Sequence, residues 1–216
     1  MAAFAPEPFV LGARYGWSSE QVEAFRMKAS ALRGMLDAIA DRPDAAAIRA
    51  ELPGPIAALF DDPPPAVRKI AAVQLQYLLE AVERVAGPDG LRETAQASVI
   101  RGPLKTMRPF IEGVLRLFGQ SPKGLLLRVP QVMAQQLEGM SFTSEATDEF
   151  TCVIAIRNEV LPTMPRRTWT YWEGVLATTY ALCGTRGSVR ARVVHDLAPA
   201  AELVCCWRPD AAPPGD

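Results

Sequence analysis

The sequence has a single histidine, His195, among 216 residues. That excludes the paired-imidazole H-E-x-x-H zinc helix, and neither a G-x-S-x-G elbow nor a phosphate-cradling glycine-rich loop is present. Cysteine is also scarce. Cys152, Cys183, Cys205 and Cys206 sit in apolar stretches rather than at framework spacings, which argues against a disulfide scaffold and for buried, reduced thiols. Lysine occurs only at Lys28, Lys69, Lys105 and Lys123, and basic residues nowhere run together. With 23 basic and 24 acidic side chains the net charge is −1, so the electrostatic footprint of a nucleic-acid binder is missing. No apolar stretch reaches about 18 residues, so no membrane span is expected. The opening MAAFAPEPFVLGARYGW lacks the basic and apolar regions of a secretory signal, and a cytoplasmic location is the expectation.

What is present is a folded composition, 49% hydrophobic, with two kinds of periodicity. Residues 1–17 carry prolines and glycines without a sustained period and read as a flexible arm. Ser18 and Gln21 stand at capping-box spacing, and Val22, Phe25, Ala29, Leu32, Leu36 and Ile39 continue at helical spacing to about Ala40. After the "DDPPP" interruption another helix is expected from about Ala66 to Gly87, and Asp89 is placed to cap the next. Residues 18–100 thus form a helical region. A stripe from Met107 to Phe118 follows, then Ser121 and Pro122 in the order favoured at a helix start, with Pro130 dividing that helix.

From Met140 the period changes. Residues 140–147 and 150–158 read as a strand hairpin, "RRTWTYWEGVLATTYALCG" as a helix, and residues 188–207 as a second hairpin turning at "DLAPA". The expected fold is α+β: N-terminal helices, then a four-stranded antiparallel sheet built hairpin–helix–hairpin and covered by helices. Residues 101–208 form that domain, and 209–216 read as a disordered tail.

"FIEGVLRLFGQSPKGLLLRVPQVMAQQLEGMSF", "YWEGVLATTYALCGTRGSVRARVV" and "PAAELVCCW" resemble a small α/β ligand-binding superfamily. It comprises haem NO-binding domains, vinyl-reductase-type domains and core subunits of the transport-particle tethering complex. The nearest resemblance is to a myxobacterial paralogous family of unknown function, through Glu173 with Gly174, Gly184 and Trp207. It covers about residues 98–208. It implies helices over a four-stranded sheet, with a pocket between them that in different relatives takes haem, a hydrocarbon or acyl chain, or is filled. A haem NO-binding domain uses a proximal histidine on a helix and a Tyr-x-Ser-x-Arg signature, and the chain has neither. In vinyl-reductase-type relatives paired cysteines flank the last turn; here Ala201 stands at the later position.

The residues therefore suggest no cofactor, and His195 with Cys205 is only a weak metal pair. Trp169, Trp172, Glu173, Leu176 and Tyr180 share one stretch of helix. They are either core packing, with Glu173 favoured near the helix N-terminus, or one wall of an apolar pocket with Arg128, Arg166 or Arg167 at its mouth. The function expected is a non-enzymatic regulatory or sensory domain binding a small apolar or acyl ligand or a protein partner, without haem. Homodimerisation through the N-terminal helices fits such a domain. The alternatives are a pure interaction protein with a filled core and an enzyme pairing Cys152 or Cys183 with His195.

Overall fold

A computed structural model describes residues 12–104 and 121–208. The stripe at 107–118, the start of the arm and the tail lie outside the described residues. Ser18 Oγ accepts from the Gln21 amide at 3.2 Å, and Gln21 Oε1 accepts from the Ser18 amide at 2.9 Å. This capping box opens α1 (Ser19–Ala24).

The helix expected to run on to Ala40 instead breaks at Phe25. Arg26–Lys28 form β1, and α2 (Ala29–Ala40) starts afterwards. The reason is long-range. β1 is the centre of a three-stranded antiparallel sheet, flanked by β2 (Lys69–Ala71) and β3 (Leu137–Glu138), and cross-strand partners from two remote segments outbid local helical spacing. The same pairing moves the next helix from the expected Ala66 to Val73.

Two short helices, α3 (Ala45–Ala50) and α4 (Gly54–Ala57), lead to β2. The long α5 (Val73–Arg101) is broken at Gly87, whose φ of 70° is left-handed. Helices α6 (Pro122–Leu126) and α7 (Val129–Ala134) are separate, with Pro130 in the first turn of α7, where its missing amide donor costs nothing.

The second sheet has the expected composition. β4 (Met140–Ala146), β5 (Thr151–Asn158), β7 (Ala200–Arg208) and β6 (Arg186–Arg192) pair antiparallel in the order β4-β5-β7-β6. Strand alternation sends Cys152, Ile154, Leu203 and Cys205 inward, each fully buried. Helix α8 (Arg166–Cys183), between β5 and β6 in sequence, lies between α5 and the sheet. It is buried on nearly every side, with Trp169 and Leu176 among the core residues.

One continuous cluster of buried side chains runs from Trp17 to Trp207. Trp17, in the stretch expected to be an arm, is buried, and Tyr15 stacks edge-on against Tyr77 of α5. The apolar stripes of the N-terminal helices are also consumed internally: Leu32, Met35, Ile39, Leu78 and Val82 are fully buried. Those stripes are spent on the chain's own core.

α8 can approach α5 because residue 174 is glycine. A Cβ built there would stand 2.3 Å from the Arg92 carbonyl oxygen, and backbone cannot swing aside as a side chain does. Gly174→Ala is expected to destabilise the protein by about 1–3 kcal/mol, read as a lower urea midpoint with an unchanged slope.

Candidate functional site

α8 builds the site because its two sides face different neighbours. Tyr171, Trp172 and Val175 line a cavity of about 70 Å³ that also touches Met27, Leu75 and Met133. Trp172 meets the Phe142 ring edge-on at 5.2 Å. One polar pair borders this space: Thr168 Oγ1 donates to Gln76 Oε1 at 3.0 Å, with both residues buried. A second apolar cavity of about 100 Å³ lies farther along α8, against Leu125, Val129 and Leu176. The two share Val99, Met133 and Val175 as walls, so they lie side by side along α8, parted by these three side chains.

The candidate residues separate around this helix. Trp172 lines the first cavity and Leu176 the second. Trp169 is buried in the core. Tyr180 turns to the sheet, its hydroxyl donating to the Ser188 carbonyl at 3.1 Å. Glu173 also faces the sheet: Oε2 accepts from Arg92 Nε at 2.6 Å, and Oε1 accepts from the Ala191 amide at 2.8 Å.

Of the arginines, Arg128 borders the second cavity. Arg167 pairs with Glu80 at 3.2 Å, in a cluster where Tyr15 and Arg84 also reach that carboxylate. Arg166 lies 3.6 Å from Asp196. Neither lines the two cavities. Thr168, Tyr171 and Val175, which do, were not among the sequence candidates, although they recur at helical spacing on the other side of the same helix.

His195 sits exposed in the turn between β6 and β7, its Nδ1 accepting from the Leu197 amide at 3.3 Å. Cys205 lies on the same strand beyond Ala200, where β7 begins, and Cys152 stands opposite Cys205 in the register. At about 3.3 Å per residue the five positions from Ala200 to Cys205 span about 16 Å. Cys183 closes α8 next to Arg186, the far end of β6 from the turn. The histidine and these thiols are thus at opposite ends of the sheet. That removes the cysteine–histidine enzyme and the His195–Cys205 metal pair, and no cluster of metal-ligating side chains occurs among the described residues.

Burial also deactivates the thiols. It pushes Cys205 up to about 12, with neighbouring Cys152 and Cys206 adding to the effect, and Cys183 up to about 11. Burial likewise raises Tyr171, to about 12.

No protein-family model matches the sequence, and no curated protein matches it. Solved structures do. An H-NOX protein from K. algicida, Fe(II) unliganded, superposes with a TM-score of 0.61 at 11% identity, over 85% of this chain and 98% of that one. An H-NOX protein from S. oneidensis gives 0.61 at 12% identity, over 86% and 98%. An oxygen-binding H-NOX domain related to soluble guanylate cyclases gives 0.57 at 11%, over 85% and 96%. The fold is that of the H-NOX domains. The likeness extends over the N-terminal helices as well as the sheet. No helix among the described residues is long and apolar enough to cross a membrane.

Among the described residues Glu173 is the one buried carboxylate, and it joins α5, α8 and β6. Glu173→Ala leaves the Arg92 guanidinium and the Ala191 amide without their acceptor and is expected to cost about 3 kcal/mol, measured by chemical denaturation. The thiols give a second test. The folded-state values of Cys152, Cys183 and Cys205 lie above those of the unfolded chain, so the unfolded state releases these protons first as pH rises. Stability is expected to be untouched below about pH 8.5 and to fall between about pH 9 and 12. A Cys205→Ala variant should show a shallower fall over that window in pH-dependent denaturation.

Proposed function

We propose that this chain is a cytoplasmic, non-enzymatic sensory module that takes a small apolar or acyl ligand, without haem, in the cavities along α8. The observation carrying this reading is the pair of apolar cavities that share the walls Val99, Met133 and Val175. Ligand sites are characteristically apolar with few placed polar groups, and here the Thr168–Gln76 pair supplies the polar element. An apolar cavity of about 150 Å³ stays dry and accepts benzene or xenon. Cavities of about 70 and 100 Å³ suit a few carbons each, or a short acyl chain threading both.

The residues present do not fit haem. The only imidazole is on an exposed turn at the edge of the sheet. The soft donors lining the first cavity are the thioethers of Met27, Met133 and Met140. The β4 run Phe142-Thr143-Ser144-Glu145-Ala146 keeps the serine of a Tyr-x-Ser-x-Arg pattern but not its tyrosine or arginine. Phe142 is instead packed on Trp172, and Ser144 donates to the Leu127 carbonyl. A pocket of about 70 Å³ is also well below the roughly 300–1,000 Å³ of sites that enclose large ligands.

The test is native mass spectrometry of the purified chain with straight-chain fatty acids of about four to ten carbons, and separately with haemin. One-to-one acyl adducts are expected, with no Soret band of a ligated haem on haemin addition. Val99→Phe fills the shared wall and is expected to weaken acyl binding at least about tenfold, while thermal unfolding stays within about 5 °C of wild type. Equal binding by wild type and Val99→Phe would remove the cavities from the reading. A stoichiometric haem complex would overturn it.

A further inference from the structure

The outer face of the four-stranded sheet plays no part in the cavities along α8. Alternation directs Thr151, Val153 and Ala155 of β5 and Ala200, Val204 and Cys206 of β7 outward, and all six are only half-buried, with no helix or strand of the described residues packed against them. They form a shallow strip of small and apolar side chains two strands wide. Arg190 and Arg192 border it along β6. Arg157 stands at one end, with Arg186 and Arg208 at the other, directly opposite each other in the register.

Two properties mark this face. The first is the density of unpaired charge. On the helical half Arg14, Arg84 and Arg167 share Glu80, while Arg92 has Glu173 and Arg101 has Asp41; Arg26 and Arg33 there reach only backbone carbonyls. None of the five sheet-face arginines has a carboxylate within 4.0 Å among the described residues; Arg192 stands opposite Glu202 in the register, and Glu145 and Glu202 are the two outward acids on the described strands. Like charges set opposite each other, as Arg186 and Arg208 are, cost stability in an isolated sheet.

The second property is shape. A trough of about 540 Å³ opens between Thr143, Arg157, Arg192, Glu202 and Val194 over a floor of Ala155 and Ala200. Val194 among these is 93% exposed. Four strands spaced about 4.8 Å apart make a platform about 14 Å wide, which accommodates one α-helix of about 10–12 Å diameter.

We propose that this outer face is a docking surface for an acidic, amphipathic helix of a partner protein. Its apolar side lies on the Val153–Val204 strip and its carboxylates meet the arginine rows. Complementary charge of this kind sets register and speeds encounter. A nucleic acid fits the face less well, because its described strands turn no aromatic ring outward for base stacking.

The probe is a helical peptide of about 18 residues with leucine along one face and glutamate on the other, titrated against the full chain by fluorescence anisotropy. Binding is expected to weaken as salt rises from about 50 to about 300 mM, and to fall at least about tenfold in Arg190→Glu with Arg192→Glu. The lysine versions of both should stay within about threefold of wild type. Replacing the peptide's leucines by glutamines should also cost about tenfold. Melting curves of the variants confirm that the fold persists, since both side chains point to solvent. Binding unchanged in the glutamate variant overturns the proposal. So does tighter binding of anionic phosphatidylserine vesicles or single-stranded DNA than of the peptide, with the same dependence on Arg190 and Arg192.

Discussion

A carboxylate in the middle of a buried helix ties the layers of this molecule together. Glu173 accepts from Arg92 on α5 with one oxygen and from the Ala191 amide on β6 with the other, so α8 is bonded to the helical half and to the edge strand of the sheet at one residue. Such a group is costly to bury unless its acceptors are satisfied, and here each oxygen has a donor. Gly174, the next residue, brings the two helices to backbone contact and so makes the Arg92 reach possible. The shared core, which joins the N-terminal helices to the sheet rather than leaving two separate bodies, depends on that approach.

The cavities follow from the same arrangement. A helix held close at Glu173 and Gly174 stands off elsewhere, and the space beside Tyr171, Trp172 and Val175 is filled by methionines and aliphatic side chains that do not close it completely. Close-packed interiors tolerate few voids. Two adjacent ones lined by apolar groups therefore carry more weight than any single aromatic on the helix. They lie where the fold places space between helices and sheet, while the donors for a metal in a porphyrin are elsewhere or missing.

Much of this was legible in the sequence, and the exceptions share a cause. The hairpin over residues 188–207 is found as β6 and β7, and its strand alternation sends Cys205 inward and Cys206 outward. Ser18 with Gln21 and Pro130 also act as their local chemistry dictates. The three-residue strand at Arg26–Lys28 was not legible, because its partners are more than forty and a hundred residues away and apolar spacing reads through so short a break. Trp169, Trp172 and Tyr180 are grouped by helical spacing either as core packing or as one pocket wall. A helix buried all round has no single stripe, and the cavity takes Trp172 together with Thr168, Tyr171 and Val175, while Trp169 and Tyr180 pack elsewhere. Arg167 illustrates the same limit: its partner Glu80 is fixed by tertiary packing, so no local pattern marks the arginine as already neutralised.

The position of α8 gives the cavities and the outer sheet face a common mechanical element. One side of the helix lines the cavities. The other is bonded to β6 at Ala191, between Arg190 and Arg192, and at Ser188 through Tyr180. A ligand changes docking on that face only through a difference in its affinity for two positions of the helix. The required difference is small: a tenfold change in docking corresponds to about 1.4 kcal/mol, and burying one methylene contributes about 0.8 kcal/mol. Two methylenes accommodated in one helix position and excluded from the other therefore suffice. Cavities of about 70 and 100 Å³ are of the size at which a difference of two methylenes between helix positions is sterically meaningful.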